Sequence, residues 1–363
     1  MTRKESSLDA PVSSVGDTHA LAAARIAFGA LLLFQAWETA SEQMREGFFG
    51  DHFHDPFIPE RFVASERVFA AILCAQAVAG VLVLIGHFAR PALAYSACAI
   101  TYAMLCDRLH FHHNRWALAS YVAILSFSPC DRSWALGARR HAANTGPLWA
   151  VWLARVQVSI VYLASGTSKL LDRDWRSGQV LYDRFVRYGG AALGRGVPER
   201  VVAMFQQEST GSFLAKGAIA IELSLAFALQ TRRFRIPAIF VGLCFHAMIE
   251  LTARVELFSF TTFAAYLLFA TPDYRARTLR FDPTQSKSIT LAYVVRALDW
   301  LARFDVAAWK PDAVAKSRSF VVTDRDGEHH TGFRAILALM RALPITFPIW
   351  AVLVPFVRGP ARD

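Results

Sequence analysis

Long apolar runs, broken by short charged segments, set the pattern over the first three quarters of the chain. A helix needs about 20 residues to cross a hydrocarbon layer, and at that length the runs predict helices near 19–38, 67–87, 91–106, 111–129, 148–168, 212–230, 236–252 and 256–271. The third and fourth are short for full spans. The expectation is an all-α polytopic bundle of about eight transmembrane helices, with seven plus a re-entrant piece as the alternative. Pro91 stands where a helix favours proline, in the first turn. From about 272 the period changes to a strand-like start, an amphipathic helix around 288–303, the apolar strand "SFVVT" and a turn at Asp326-Gly327. Charged loops between such elements predict a small α/β domain. The apolar run 343–357, interrupted by Pro344, Pro348 and Pro355, is expected to pack on that domain or on a membrane surface. The expected division is a polar tail over 1–18, a membrane domain over 19–273 and the α/β domain over 274–363.

Composition strengthens the membrane reading. The chain is 54% hydrophobic with a mean hydropathy of +0.31, more apolar than a soluble domain of this size sustains. Its net charge of +10 falls in short clusters between apolar runs: Arg3 and Lys4; Arg90; Arg132, Arg139 and Arg140; Arg232, Arg233 and Arg235; Arg275, Arg277 and Arg280. These occupy alternate connections, and the first intervening loop is mostly acidic. The positive-inside rule then puts both termini in the cytoplasm, expected to be that of a bacterium with the chain in its inner membrane, and Lys169 on the far side. No basic patch alternates with exposed aromatics, which argues against nucleic acid as a partner and leaves the lipid bilayer. The five cysteines (Cys74, Cys98, Cys106, Cys130 and Cys244) have no CxxC spacing, which argues against a disulfide scaffold or a zinc site. The N-terminus has no apolar core behind its charges and reads as a polar tail rather than a signal peptide.

The stretch "YLASGTSKLLDRDWRSG" holds the strongest candidate chemistry. Arg155, Tyr162 and Lys169 are seven apart and share one stripe of a helix with Ser159 and Gly166 nearby. A polar stripe in a membrane helix must face protein or a wet cavity. Arg155 and Lys169 stand about 21 Å apart along the axis, which suits two interfacial anchors. The rival reading is a reactive amine: the chain uses 33 arginines and six lysines, and only a lysine can lose its proton on desolvation. Asp172 and Asp174 would keep it protonated if they paired with it. Two histidine groups, His52 with His54 and His110 with His112 and His113 beside Asn114, suit either a metal or hydrogen-bonded interfacial positions. They lack paired ligand spacing, and no metal is expected. His246 and Glu250 are four apart within one apparent span. They suit a proton relay or substrate contact, or equally a polar pair that fixes packing.

At these residues the chain resembles the HTTM family, whose best-known branch is the vitamin K-dependent γ-glutamyl carboxylase. The core signature falls on Arg155, Gln157, Val161, Tyr162, Gly166, Lys169, Leu170, Asp174, Trp175 and Gly178. A later element resembles Phe245, His246, Phe258, Phe260, Phe263 and Pro272, and an early one Arg25 and Gly29, so that the similarity spans roughly 20–275. The resemblance implies a membrane enzyme with carboxylase/epoxidase-like (lyase or oxygenase) chemistry on a reduced quinone, menaquinone or vitamin K-like, with Lys169 as the base. Together with the residue reading, the candidate catalytic residues are Lys169 and His246. The candidate substrate-binding residues are Arg155, Tyr162, Trp175, Asn114, His113 and Glu250. The carboxylase's N-H-x-Y element is here Asn114-Arg115-Trp116, one extra residue separates Lys169 from Asp174-Trp175, and the large luminal portion is missing, so peptide carboxylation is not implied. The alternative is a non-catalytic carrier or assembly factor. The tail is similar to the thioredoxin-like DCC thiol-disulfide oxidoreductases, but Gln285 and Ser288 occupy the cysteine positions, which implies a degenerate domain that docks an unknown partner or lends stability.

Overall fold

The computed structural model of the chain describes residues 15–41, 55–108, 111–136, 145–231, 234–252, 257–269, 277–299, 303–309, 319–324, 327–346 and 349. It divides into two compact units, Met1–Ala270 and Thr271–Asp363.

The first unit is a helical bundle. Strand β1 (Val15–Asp17) leads into α1 (His19–Thr39), followed by α2 (Glu66–Ile85), α3 (Ala89–Cys106) and α4 (His113–Ser126). Strand β2 (Thr145–Pro147) leads into α5 (Trp149–Leu171). Three shorter helices come next: α6 (Arg173–Ser177), α7 (Gln179–Gly194) and α8 (Glu199–Phe205). Helices α9 (Glu208–Ala228), α10 (Arg235–Thr252) and α11 (Phe258–Tyr266), the last continued by a 3-10 turn at Leu267–Phe269, complete the unit. Among the described residues, three helices, α1, α2 and α9, are long and apolar enough to cross a membrane. The short helices between 173 and 205 form where apolar periodicity predicted nothing. Pro198 and Gly178, the latter at φ +91°, punctuate them.

Hydrogen bonds between connections fix which helix ends lie together. Strands β1 and β2 pair antiparallel, Gly16 opposite Gly146, so α1 and α5 start at the same end. Residues 15–17, expected in a polar tail, are therefore part of the bundle. Buried Arg25 donates to the carbonyl oxygens of Val83 at 3.1 Å and Trp134 at 2.6 Å. The N–H of Leu136 donates to Ile85 O. Together these bring the end of α2 and the segment after α4 to that same end. At the opposite end the N–H of Phe57 donates to Leu105 O, and Tyr102 Oη donates to Phe62 O. Helices α1–α4 thus alternate in direction around a core that includes Leu21, Phe28, Ile100, Leu118, Val158 and Leu225.

Among its described residues, the second unit is a four-stranded mixed sheet with two α-helices. Strands β3 (Arg277–Phe281), β4 (Phe304–Ala308), β5 (Phe320–Thr323) and β6 (His329–His330) lie in the order β4-β3-β5-β6. Strands β3 and β4 are parallel, joined through α12 (Ser286–Leu298), and the other pairs are antiparallel. Leu279 stands opposite both Val306 and Val322, and this face packs Ala292 and Val295 of α12 against Ala335 and Leu339 of α13 (Gly332–Ala342). Helix α12 stops five residues short of the expected 303. Asp299 ends it by accepting from the N–H groups of Arg303 and Phe304, which turns the chain into β4. Most of the proline-interrupted run 343–357 lies outside the described residues.

Candidate functional site

Helix α5 presents its polar stripe at three levels. Near its start, buried Arg155 donates from Nε to Leu268 O at 2.8 Å, and its guanidinium lies over the rings of Trp152 and Phe269. Gln230 of the α9–α10 connection donates to Arg155 O and Ser159 Oγ, both at 2.8 Å. Arg155 therefore ties α5 to the 3-10 turn after α11, about 21 Å along the helix from Lys169.

Midway, Tyr162 Oη hydrogen-bonds His246 Nε2 at 2.7 Å and also Tyr266 Oη. All three groups are buried, and the imidazole is ringed by Phe245, Phe258 and Phe263. A glycine, Gly242, makes this level fit: a Cβ there would fall on the Tyr266 hydroxyl. No hydrogen bond joins His246 to Glu250. The histidine's Nδ1 is buried without a partner among the described residues, and so is Glu250 Oε2.

At the end of α5, Lys169 turns inward. Its Nζ lies 2.9 and 2.8 Å from the two carboxylate oxygens of Glu222 on α9 and donates to Ser165 Oγ. The two side chains are 16% and 3% exposed, so the ammonium is not a solvent-facing anchor. Trp175 closes one side, its ring centroid 5.0 Å from Nζ. Asp172 is committed elsewhere: its Oδ1 caps α6 by accepting from the N–H groups of Asp174 and Trp175 at 2.7 and 3.2 Å. The pairing depends on close helix approach at Gly166. A Cβ there would stand 2.9 Å from the Leu223 side chain, next to Glu222. Small residues at such crossings let membrane helices approach backbone to backbone.

The structure thus groups the candidates unevenly. Tyr162 and His246 meet at one level, and Lys169 and Trp175 at another, two helical turns away. Glu250 lies in a separate cleft. His113 is exposed at the first turn of α4, its ring edge-on to Phe111, and Asn114 is buried beside it. His52, His54 and His110 lie outside the described residues. Among the described residues, no three His, Cys, Asp or Glu side chains converge as a metal site. Sequence reasoning missed Glu222 and Tyr266. The signal for Glu222 was available: it is an acidic residue inside the apolar run "AIAIELSLAFA", and an ionisable group within a membrane helix marks function or pairing.

The cleft is a cavity of about 790 Å³ lined by Ala27, Leu31 and Phe34 of α1, and by Phe260, Ala264 and Leu267 after the turn at Leu257. Glu38 and Glu250 also line it, and Phe263 separates it from His246. Lys169, Tyr162 and His246 do not line it.

A family model described as the HTTM domain matches residues 14–274, well over half of the chain. No solved structure matches it.

Proposed function

The chain belongs to the HTTM family and is a membrane protein, and on that premise we infer that it is an enzyme acting on a membrane-soluble quinol, with Lys169 as the general base. One observation carries this reading: Lys169 is largely buried and turned away from Asp172, towards a buried carboxylate on a second helix. A lysine serves as a base only when another group takes its proton. The Lys169–Glu222 pair has no net charge whichever partner holds the shared proton, so the proton can move to Glu222 without creating an isolated charge in an apolar site. The amine then lies within reach of a quinol hydroxyl presented beside Trp175. Tyr162, His246 and Tyr266, each able to donate and to accept, give the same helix a second proton-carrying network.

The remaining parts of the reading follow from the same helices. We take the bundle to span the bilayer about eight times, α1–α5 and α9–α11 being the spans, with both termini cytoplasmic in a bacterial inner membrane. The tail is read as a degenerate DCC-like, thioredoxin-like domain. Its support is the strand order β4-β3-β5-β6 around a parallel crossover, with Gln285 just before α12 and Ser288 in its first turn. That is where a thiol pair would need to stand, and Ser288 Oγ instead donates to Ser319 O at 2.8 Å.

The test is oxygen uptake by the purified full-length chain with menaquinol, which is oxidised as oxygen is reduced. Lys169→Arg keeps the charge and a partner for Glu222 but cannot act as a base. It should lower the rate by roughly 10²–10⁴-fold while leaving thermal stability near that of the wild type. A wild type without uptake, or a Lys169→Arg variant as fast as wild type, favours the other reading. The bidentate contact of both Glu222 oxygens with Nζ would then be a structural pin in a carrier or assembly factor.

A further inference from the structure

The 790 Å³ cleft between α1 and α11 has a polarity gradient along its length. Its α1 wall runs from Ala27 to Glu38, eleven residues or about 16 Å at the helical rise. Every α1 lining residue before Glu38 is apolar. The opposite wall is equally apolar through Phe260, Phe263, Ala264 and Leu267. Among the described residues, the two ionisable lining residues, Glu38 and Glu250, both lie at one end, near the C-termini of α1 and α10. That end is held to α7 by Arg195 Nη1, which donates to Glu250 O at 3.0 Å.

Two further features point to a ligand. Glu250 Oε2 is buried with no hydrogen-bond partner among the described residues. An unsatisfied buried carboxylate oxygen costs several kcal/mol, so a donor brought in by a guest would find strong complementarity there. The rim includes exposed Phe34 and Phe260, on helices read as spans, so the cleft opens sideways to lipid. The volume lies within the range of about 300–1,000 Å³ common to small-molecule sites.

We propose that this cleft is a binding site for a single-chain lipid alcohol, an amphiphile whose hydroxyl donates to Glu250 and whose apolar chain lies along α1 towards Ala27. An anionic head is disfavoured because, among the described residues, the lining holds two carboxylates and no Lys, Arg or His. The site is separate from the Lys169–Glu222 pair, and the proposal does not depend on quinol chemistry.

The experiment measures binding of tritiated geranylgeraniol, a C20 prenyl alcohol, to the full-length protein in nanodiscs, with geranylgeranyl phosphate as competitor. Saturable binding of one molecule per chain is expected, and the phosphate should compete at least tenfold more weakly than unlabelled alcohol. Glu250→Gln, which keeps an acceptor but loses the charge, should weaken binding severalfold. Glu250→Leu and the cavity-filling Ala264→Phe should weaken it by tenfold or more. Lys169→Arg should leave it unchanged, which separates this site from the proposed catalytic one. Equal competition by alcohol and phosphate, or full binding by Glu250→Leu, overturns the proposal. The head-group comparison uses wild-type protein alone, so it decides the matter even if Ala264→Phe fails to fold.

Discussion

Lys169 and Glu222 hold each other inside the protein, so the loss of either leaves a buried charge without its partner. Removing one member of such a pair costs about 3–5 kcal/mol, whereas replacing both by apolar residues of similar volume is often neutral. Glu222→Leu alone should therefore lower the thermal unfolding midpoint in detergent markedly, and Lys169→Met with Glu222→Leu should recover most of the loss. A double variant as unstable as the sum of its singles would mean that the pair is not the coupled unit described. Asp172 belongs to a different account: as the cap of α6 it contributes about 0.5–2 kcal/mol locally. Asp172→Ala should weaken that turn without disturbing the contact between Lys169 and Glu222, so the menaquinol-dependent oxygen uptake proposed above should be unchanged. In the same way Tyr162→Phe removes the hydroxyl that serves both His246 and Tyr266. About 1–3 kcal/mol should be lost, read as a drop in the same unfolding midpoint.

Between elements, what matters is how closely helices approach. Gly166 and Gly217 lie on the facing helices α5 and α9, yet a Cβ at Gly166 would press on Leu223 while one at Gly217 would meet nothing within 4 Å. Gly166→Val should cost about 1–3 kcal/mol through overpacking and, on the proposed function, should also lower the rate of quinol oxidation. Gly217→Ala should be neutral or stabilise by up to about 1 kcal/mol through helix propensity. Thermal midpoints of the two variants test the contrast. In the second unit, burial raises the carboxyl of Asp299 above its ordinary 3.8, outweighing the two N–H groups that bind it. The folded form then holds the proton more firmly than the unfolded chain does. Stability from this group is present in acid and is lost as pH rises from 3.8 through the raised value. Asp299→Asn should flatten that pH slope in urea unfolding followed by a probe in this unit.

The same scale shows what the sequence could reveal. Helix positions in the bundle followed from apolar run length, because a membrane helix satisfies its own backbone and needs only a long enough apolar stretch. The sharing of one stripe by Tyr162, Gly166 and Lys169 followed from the seven-residue spacing. The partners on other helices did not: Glu222 and Tyr266 lie 53 and 104 residues from the side chains they bond, and periodicity within one helix carries no information about what faces it. The helices between 173 and 205 were missed for a related reason. They are too short for a span and too charged to register as apolar runs.

For the whole molecule, chain direction decides where the chemistry lies. Among the described residues, four α-helices of alternating direction lie between the paired strands β1 and β2, so α5 starts where α1 starts and ends, just past Lys169, at the opposite face. The carboxylate end of the cleft lies at that same face, because Glu38 stands in the last turn of α1, which starts beside β1. The proposed base and the proposed lipid site would then share one side of the membrane, the side away from Arg132, which is held at β2. Cysteines introduced singly at Val15, Thr145 and Arg176, in a chain whose five native cysteines are replaced, test this directly. In intact cells a membrane-impermeant maleimide should label position 176 and leave 15 and 145 unlabelled until the cells are permeabilised. Equal labelling of 15 and 176 would mean that α5 does not cross the bilayer, and would remove the lipid-facing geometry on which both sites depend.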